Sequence, residues 1–251
     1  MSDTTCYALL GLIIFLTHFQ EGITGFGCTV LALPFVMLLL GLDQAVKVLV
    51  IQAWVLAFCI VIISRHRIMW SEYWRIVIPA SAGLVIGIWM SSVLPETKLK
   101  WILAFFMMAV GIRGLLAKQE VQSAKIRINK KTRWLLSSFL PIGGIMQGAF
   151  GSGGPFVVIY ATRMLREKSL FRVTLCMLWF TLNSMLIAQW SIHSALTGKV
   201  FLYTAFCLPF TLIGLVFGDK AHHRINEILF RRIVYAVLLV SGLALIWTLM
   251  R

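Results

Sequence analysis

Six runs of this chain, at residues 46–63, 76–94, 101–116, 171–190, 200–217 and 233–250, are long and apolar enough to cross a lipid bilayer as helices. A spanning helix needs about 20 mostly apolar residues to traverse a hydrocarbon core of roughly 30 Å. The composition of the whole chain agrees. Hydrophobic residues fill 60% of its 251 positions and charged residues 13%, with mean hydropathy +0.90; soluble domains sit near about 45–50% apolar and roughly a quarter charged. Ordinary soluble enzymes, disordered chains, collagen-like repeats and disulfide-stapled domains are therefore excluded. The expected fold is an all-α, polytopic membrane protein.

Two further stretches are apolar but broken. Residues 6–40 carry Gln20, Glu21, Gly22, Ile23, Thr24, Gly25, Phe26 and Gly27 in their middle. Residues 134–162 have no charge, yet hold Gly143, Gly144, Gly148, Gly151, Gly153 and Gly154 between Pro141 and Pro155. So many glycines do not make one straight helix. Each stretch is expected to form two short half-helices joined by non-helical backbone at membrane depth. Such backbone survives there only where protein or a watery cavity satisfies its N–H and C=O groups.

The broken stretches open comparable halves. Phe26-Gly27 aligns with Phe150-Gly151, Lys47 with Arg172 and Trp54 with Trp179. Pro79, Gly83 and Gly87 then match Pro209, Gly214 and Gly218, and Glu96, Lys100, Ile102 and Gly111 match Glu227, Arg231, Ile233 and Gly242. Matches kept in this order indicate a tandem duplication.

Charge orients the halves. The net charge is +14, but the basic residues cluster in short loops, and no span alternates basic and aromatic residues as a nucleic-acid surface would. The partners expected are a lipid bilayer and a small anion, with no nucleic acid; a homo-oligomer is left open. If each broken stretch is a hairpin returning to its starting side, 18 of the 23 Lys and Arg share one side, in 65–75, 113–133, 163–172 and 220–232. If each stretch crosses once, the split is 11 against 12. The positive-inside rule selects the hairpin. Each half is then a re-entrant broken-helix hairpin plus three transmembrane helices, and the halves are oppositely oriented. The expected organisation is a first transmembrane repeat at 1–116, a basic cytoplasmic linker at 117–133 and a second repeat at 134–251, with both termini outside. Inverted repeats with paired broken segments are the architecture of secondary transporters, whose sites lie where the breaks meet.

The five cysteines, Cys6, Cys28, Cys59, Cys176 and Cys207, show no C-x-x-C spacing, and four lie in apolar stretches. They read as buried thiols. The segment 6–19 has neither a preceding Lys or Arg nor a cleavage pattern, so it is expected to be retained structure.

Both breaks offer backbone amides at half-helix N-termini, where partial positive charge collects. Small residues admit a ligand to that backbone, and Thr24 and Ser152 add hydroxyls. This set suits a small oxyanion; the alternative is that the glycines serve only close helix packing. The expected substrate-binding residues are Gln20, Thr24, Gly25, Phe26, Gly27, Gln147, Phe150, Gly151, Ser152, Gly153 and Gly154. Glu21, the one carboxylate in either hairpin, is expected to couple or gate as a proton acceptor, or else to cap a half-helix. Lys47 and Arg172 join it, as an anion-attracting funnel or as snorkelling side chains. Gln20, Gln147 and Asn183 either bond substrate or tie helices. His18 and Glu21 share a helical face without a second such pair, so neither a metal nor a cofactor is expected, and His222-His223 read as solvated.

Gly25-Phe26-Gly27 with a half-helix ending near Pro34 and Gly41, and the run from Gln147 to Pro155, together resemble the sulfite exporter TauE/SafE family. The resemblance covers nearly the whole chain. It implies movement of sulfite, organosulfonates or related sulfur oxyanions across a bacterial inner membrane. It places the family's paired glycine-rich motifs on Gly25, Phe26 and Gly27 and on Gly151, Gly153, Gly154 and Pro155, with Cys28 where a further glycine is common. The function expected is a non-enzymatic secondary carrier of a small sulfur-containing anion in the bacterial inner membrane. The competing reading is a membrane-embedded enzyme acting on a sulfur compound, for which Cys28, His18 and Glu21 are the material on offer.

Overall fold

The computed structural model describes residues 3–116, 130–165 and 167–221, and beyond them positions 235, 236, 239, 240, 242, 243, 245–247, 249 and 250. Among the described residues the chain is all-helical. The helices are α1 (Asp3–Thr24), α2 (Cys28–Leu40), α3 (Leu42–Ser64), α4 (Trp70–Val93), α5 (Glu96–Leu116), α6 (Lys130–Ser137), α7 (Phe139–Phe150), α8 (Gly154–Met164), α9 (Lys168–Ile192) and α10 (Gly198–Ala221). The remaining described positions, from 235 to 250, are also helical. Most of the 117–133 linker, Arg166, His222, His223, Glu227 and Arg231 lie outside the described residues, as does part of the 233–250 span.

Among the described residues, six helices are long and apolar enough to cross a membrane: Thr5–Thr24, Leu42–Arg67, Trp70–Val93, Glu96–Leu116, Lys168–Ile192 and Gly198–Ala221. Their outward apolar side chains, such as Ile63 at 75% and Trp89 at 64% exposure, suit a lipid surround.

The chain does break at the two glycine-rich stretches, but not into equal halves. The arm before the first break, α1, has 22 residues, about 33 Å at the helical rise, so it is no short half-helix. The second stretch enters through α6 and α7 with only Ser138 between them. The arms after the breaks are short: α2 has 13 residues and α8 has 11, roughly 16–20 Å. Gly143, Gly144 and Gly148 were expected to help break the second stretch, yet they lie inside α7. Their smallness serves packing. A methyl on Gly144 would run into the carbonyl of Ala80 on α4, and one on Gly148 into that of Leu84.

Each broken stretch packs against the other half. The most extensive helix contacts are α7 on α4 and α1 on α10, followed by α3 on α9. Glycines set both of the first two. Gly83 and Gly87 of α4 lie against the carbonyls of Pro141 and Ile145, and Gly214 and Gly218 of α10 lie against those of Phe15 and Phe19. These matched pairs of glycines admit the partner backbone so closely that no Cβ fits.

The order of contacts gives the directions. Trp54 Nε1 donates to Ser184 Oγ at 2.8 Å, while Phe58 stacks on Phe180 at 5.7 Å, so α3 and α9 run antiparallel. Gly111 and Gly114 of α5 meet Leu239 and Tyr235, and Gly242 meets Met108, again in reverse order. By contrast α1 runs parallel to α10, and α7 to α4. Polar side chains within spans find partners across helices: Gln52 of α3 donates to the Thr204 carbonyl and accepts from Thr211 Oγ1 on α10, each at 2.7 Å. In hydrocarbon such groups have no water to turn to.

Candidate functional site

The two breaks have the same construction. Gly25 and Gly151 end α1 and α7 with φ of 81° and 62°, a left-handed turn that glycine adopts without strain. Their N–H groups donate to the carbonyls of Glu21 and Gln147 at 2.7 and 2.8 Å. This pairs Gly25 with Gly151, two positions away from the alignment of Phe26-Gly27 with Phe150-Gly151, and makes Glu21 the counterpart of Gln147. Their side chains behave as counterparts. Glu21 Oε2 accepts from the Cys28 N–H at 2.8 Å, and Gln147 Oε1 accepts from the Gly153 N–H at 2.8 Å. Each side chain reaches across its break and caps the short helix beyond.

The breaks meet at one small cavity of about 20 Å³. Glu21, Gly27 and Thr29 line it from the first half, and Gln147, Gly151, Ser152 and Gly154 from the second. Ala53 of α3 and Trp179 and Asn183 of α9 close it from the midpoints of those long helices. Gln147 Nε2 donates to Asn183 Oδ1 at 2.6 Å. Ser152 is 2% exposed and its Oγ has no partner among the described residues. After the Glu21 and Gln147 caps, the N–H groups of Thr29 and Val30 on α2, and of Gly154 and Phe156 on α8, have none either. Two short-helix N-termini and a buried hydroxyl thus converge on the cavity.

The other expected site residues lie around this set. Gln20 Nε2 donates to Thr24 Oγ1 at 2.9 Å and to the Phe26 carbonyl at 3.1 Å, so Gln20 and Thr24 brace the first turn. Phe26 packs edge-on against Phe171 at 6.0 Å, and a methyl on Gly154 would lie 3.7 Å from its ring. Phe26 therefore joins one break to the other. Gly25 abuts the Arg172 backbone, and its carbonyl accepts from Trp179 Nε1 at 3.2 Å. A methyl on Gly153 would strike the Gly143 carbonyl, so this glycine closes its own hairpin. Phe150 is fully buried in the core. Lys47 pairs with Asp43 at 2.7 Å and Arg172 with Asp219 at 2.7 Å, and neither lines the cavity. His18 Nδ1 lies 2.8 Å from the Ile14 carbonyl and Cys28 Sγ 3.7 Å from Thr29 Oγ1, so thiol and imidazole are engaged separately.

Thr29 and Ala53 had no signal in the sequence, being an ordinary helical threonine and alanine. Trp179 and Asn183 did: one matched Trp54 in the repeat, and the other is a polar residue in an apolar span. Glu72 was also missed. It is 7% exposed, binds Arg75 and Arg133, and accepts from Tyr160 Oη at 2.8 Å. Arg75, Arg133, Trp134, Ser137 and Tyr160 border a recess of about 300 Å³ away from the breaks. Glu72 fastens α6 and α8 to α4.

The probable inner membrane transporter protein TsaS of Comamonas testosteroni is 25% identical over 187 residues, which cover 73% of this chain and 74% of that protein. No solved structure matches significantly. The family described as sulfite exporter TauE/SafE matches residues 10–245. With its apolar helices, the chain is a multi-pass protein of the bacterial inner membrane and belongs to the sulfite exporter TauE/SafE family.

Proposed function

We propose that the protein is a secondary carrier of a small sulfur-containing anion, sulfite or an organosulfonate, bound where the two breaks meet near the membrane midplane. The observation that carries this reading is the shared cavity, with its unpartnered Ser152 hydroxyl between two short-helix N-termini. Amides at such termini favour an oxyanion without a fixed cation. The family match and the transporter name of the relative support the class of substrate and activity.

In this reading the chain is an inverted repeat, 1–116 and 134–251 joined by a basic cytoplasmic linker. The antiparallel packing of α3 on α9 supports it, as does that of α5 on the last helical positions. Each break with its short arm is a re-entrant hairpin. Gln147, Gly151, Ser152, Gly154 and Gly27 face the anion. Gln20, Thr24, Gly25, Phe26, Phe150 and Gly153 hold the hairpins in shape around it. Lys47 and Arg172 act at a distance on charge entering or leaving.

A cavity of about 20 Å³ has room for little more than one water. A sulfur oxyanion requires the hairpins to separate, so the structure corresponds to a closed state between two open ones. Alternating access by rocking one half against the other provides that separation. Liposomes containing the purified protein test the proposal with labelled sulfite and a panel of sulfonates. Protein-dependent passage of an unchanged member is expected. Chemical alteration of sulfite without passage would establish the enzyme instead, and no passage of any member would overturn the carrier.

A further inference from the structure

Resting on the carrier reading, we infer that Glu21 binds a proton with each anion, so that the protein moves one proton and one anion together in the same direction. The inference starts from the two caps. Gln147 uses one side-chain atom, Oε1, to accept from the Gly153 N–H, and donates through Nε2 to Asn183. Glu21 uses Oε2 to accept from the Cys28 N–H. A protonated Glu21 repeats the pattern of Gln147: one oxygen accepts from the backbone and the other group donates. An ionised Glu21 instead places a negative charge on the wall of the cavity, with no donor to offer.

Only the protonated form is compatible with an anion there. Glu21 is 2% exposed and lines the same small cavity as Ser152 and Gly154. Two negative charges about 4 Å apart, at the effective permittivity of a protein site, weaken binding by roughly a thousandfold. Among the described residues no cation in contact with Glu21 offsets this. Of the groups facing it, Arg172 on α9 is committed to Asp219 of α10. Cys28 across the break and Cys176 on α9 are thiols, and His18 one turn back on α1 has its Nδ1 at the Ile14 carbonyl and its buried Nε2 without a partner among the described residues. Gln52 and Thr211, on the adjoining α3 and α10, bond each other.

The cycle balances. A proton from water on the entry side joins a Glu21 carboxylate oxygen, the anion binds to the amides and Ser152, and the cavity opens to the other side. The anion leaves, the proton returns to water there, and the empty protein, its Glu21 carboxylate still held by the Cys28 N–H, re-opens to the entry side. Gln147 is a permanently neutral counterpart, so one half carries the proton and the other does not.

Methanesulfonate is the appropriate probe, because its own charge is constant across the pH range in which carboxylates titrate. Wild-type proteoliposomes are expected to accumulate it toward the alkaline side of an imposed pH gradient, with one proton per anion. Glu21→Gln is expected to lose gradient-driven accumulation and the pH dependence of methanesulfonate exchange. Glu21→Asp is expected to restore both, and His18→Gln to leave both unchanged. Gln147→Glu is expected to lower exchange at neutral pH at least tenfold and to recover it on acidification. Accumulation by a monodisperse Glu21→Gln protein, or wild-type flux without proton movement, would overturn the inference while leaving the carrier standing. A wild-type protein that passes no probe of the sulfite and sulfonate panel overturns the carrier and this inference together.

Discussion

The indole of Trp179 donates to the carbonyl of Gly25 across 3.2 Å, tying the midpoint of α9 to the turn that ends α1. Trp179 also lines the cavity, so one side chain both walls the site and holds the first break in place. Trp179→Phe keeps an aromatic wall and removes only the donor. The buried carbonyl then keeps only the weak Cys176 thiol contact at 3.9 Å, a loss of up to about 1–3 kcal/mol, so a lower melting temperature and weaker methanesulfonate exchange are expected together. An unchanged melting temperature would show that the bond contributes nothing.

Gly154 and Gly153 separate room for a ligand from room for the fold. A methyl on Gly154 meets only Phe26 at 3.7 Å and Trp179 at 4.0 Å, ordinary contact distances, so Gly154→Ala should fold and fill part of the cavity. Exchange is expected to fall at least tenfold with the melting temperature held. Gly153→Ala should instead lose stability, because its methyl would meet the Gly143 carbonyl. Wild-type exchange in Gly154→Ala would take the anion away from this cavity.

Gly87 and Gly218 occupy matched places on α4 and α10, against Ile145 and Phe19. Alanine at either forces two backbones apart, an overpacking cost of about 1–3 kcal/mol. The two substitutions are expected to lower stability by similar amounts in a thermal or denaturant titration. A large loss at one site and none at the other would break the equivalence of the two pairings.

Orientation can be tested at two turns. On a cysteine-free background, His66→Cys, in the turn after α3, should be shielded from an impermeant thiol reagent on intact cells. Lys98→Cys, near the start of α5, should react. The reverse result would invert the topology.

Much of this was legible in the sequence because lipid leaves few choices. Five of the six apolar runs became helices long enough to span, the sixth lying partly outside the described residues, and the glycine-rich stretches broke at Gly25–Gly27 and Gly151–Gly153. What was not legible was which glycine does which task. Composition cannot tell Gly148, which admits α4, from Gly151, which turns the chain; only the partner backbone decides. The match of Glu21 to Gln147 was hidden for a similar reason. Side chains that differ in charge perform the same cap, and alignment by residue type placed Phe26-Gly27 on Phe150-Gly151. Thr29 and Ala53 enter the cavity through the packing of α2 and α3, for which a single sequence has no sign.

The packing of α1 on α10 also bears on how the protein is made. α1 leaves the ribosome well before α10, which begins only at Gly198. At roughly 5–20 residues per second, α1 waits on the order of 10–40 seconds for the partner that covers Gly22 and the backbone at Phe15 and Phe19. During that time His18, Gln20 and Glu21 sit in a helix whose principal neighbour does not yet exist. Nascent α1 must rest against α2 and α3, the insertion machinery or the interface until α10 arrives. Assembly of the first half thus waits on a helix of the second, and a chain truncated before α10 leaves α1 without its mate.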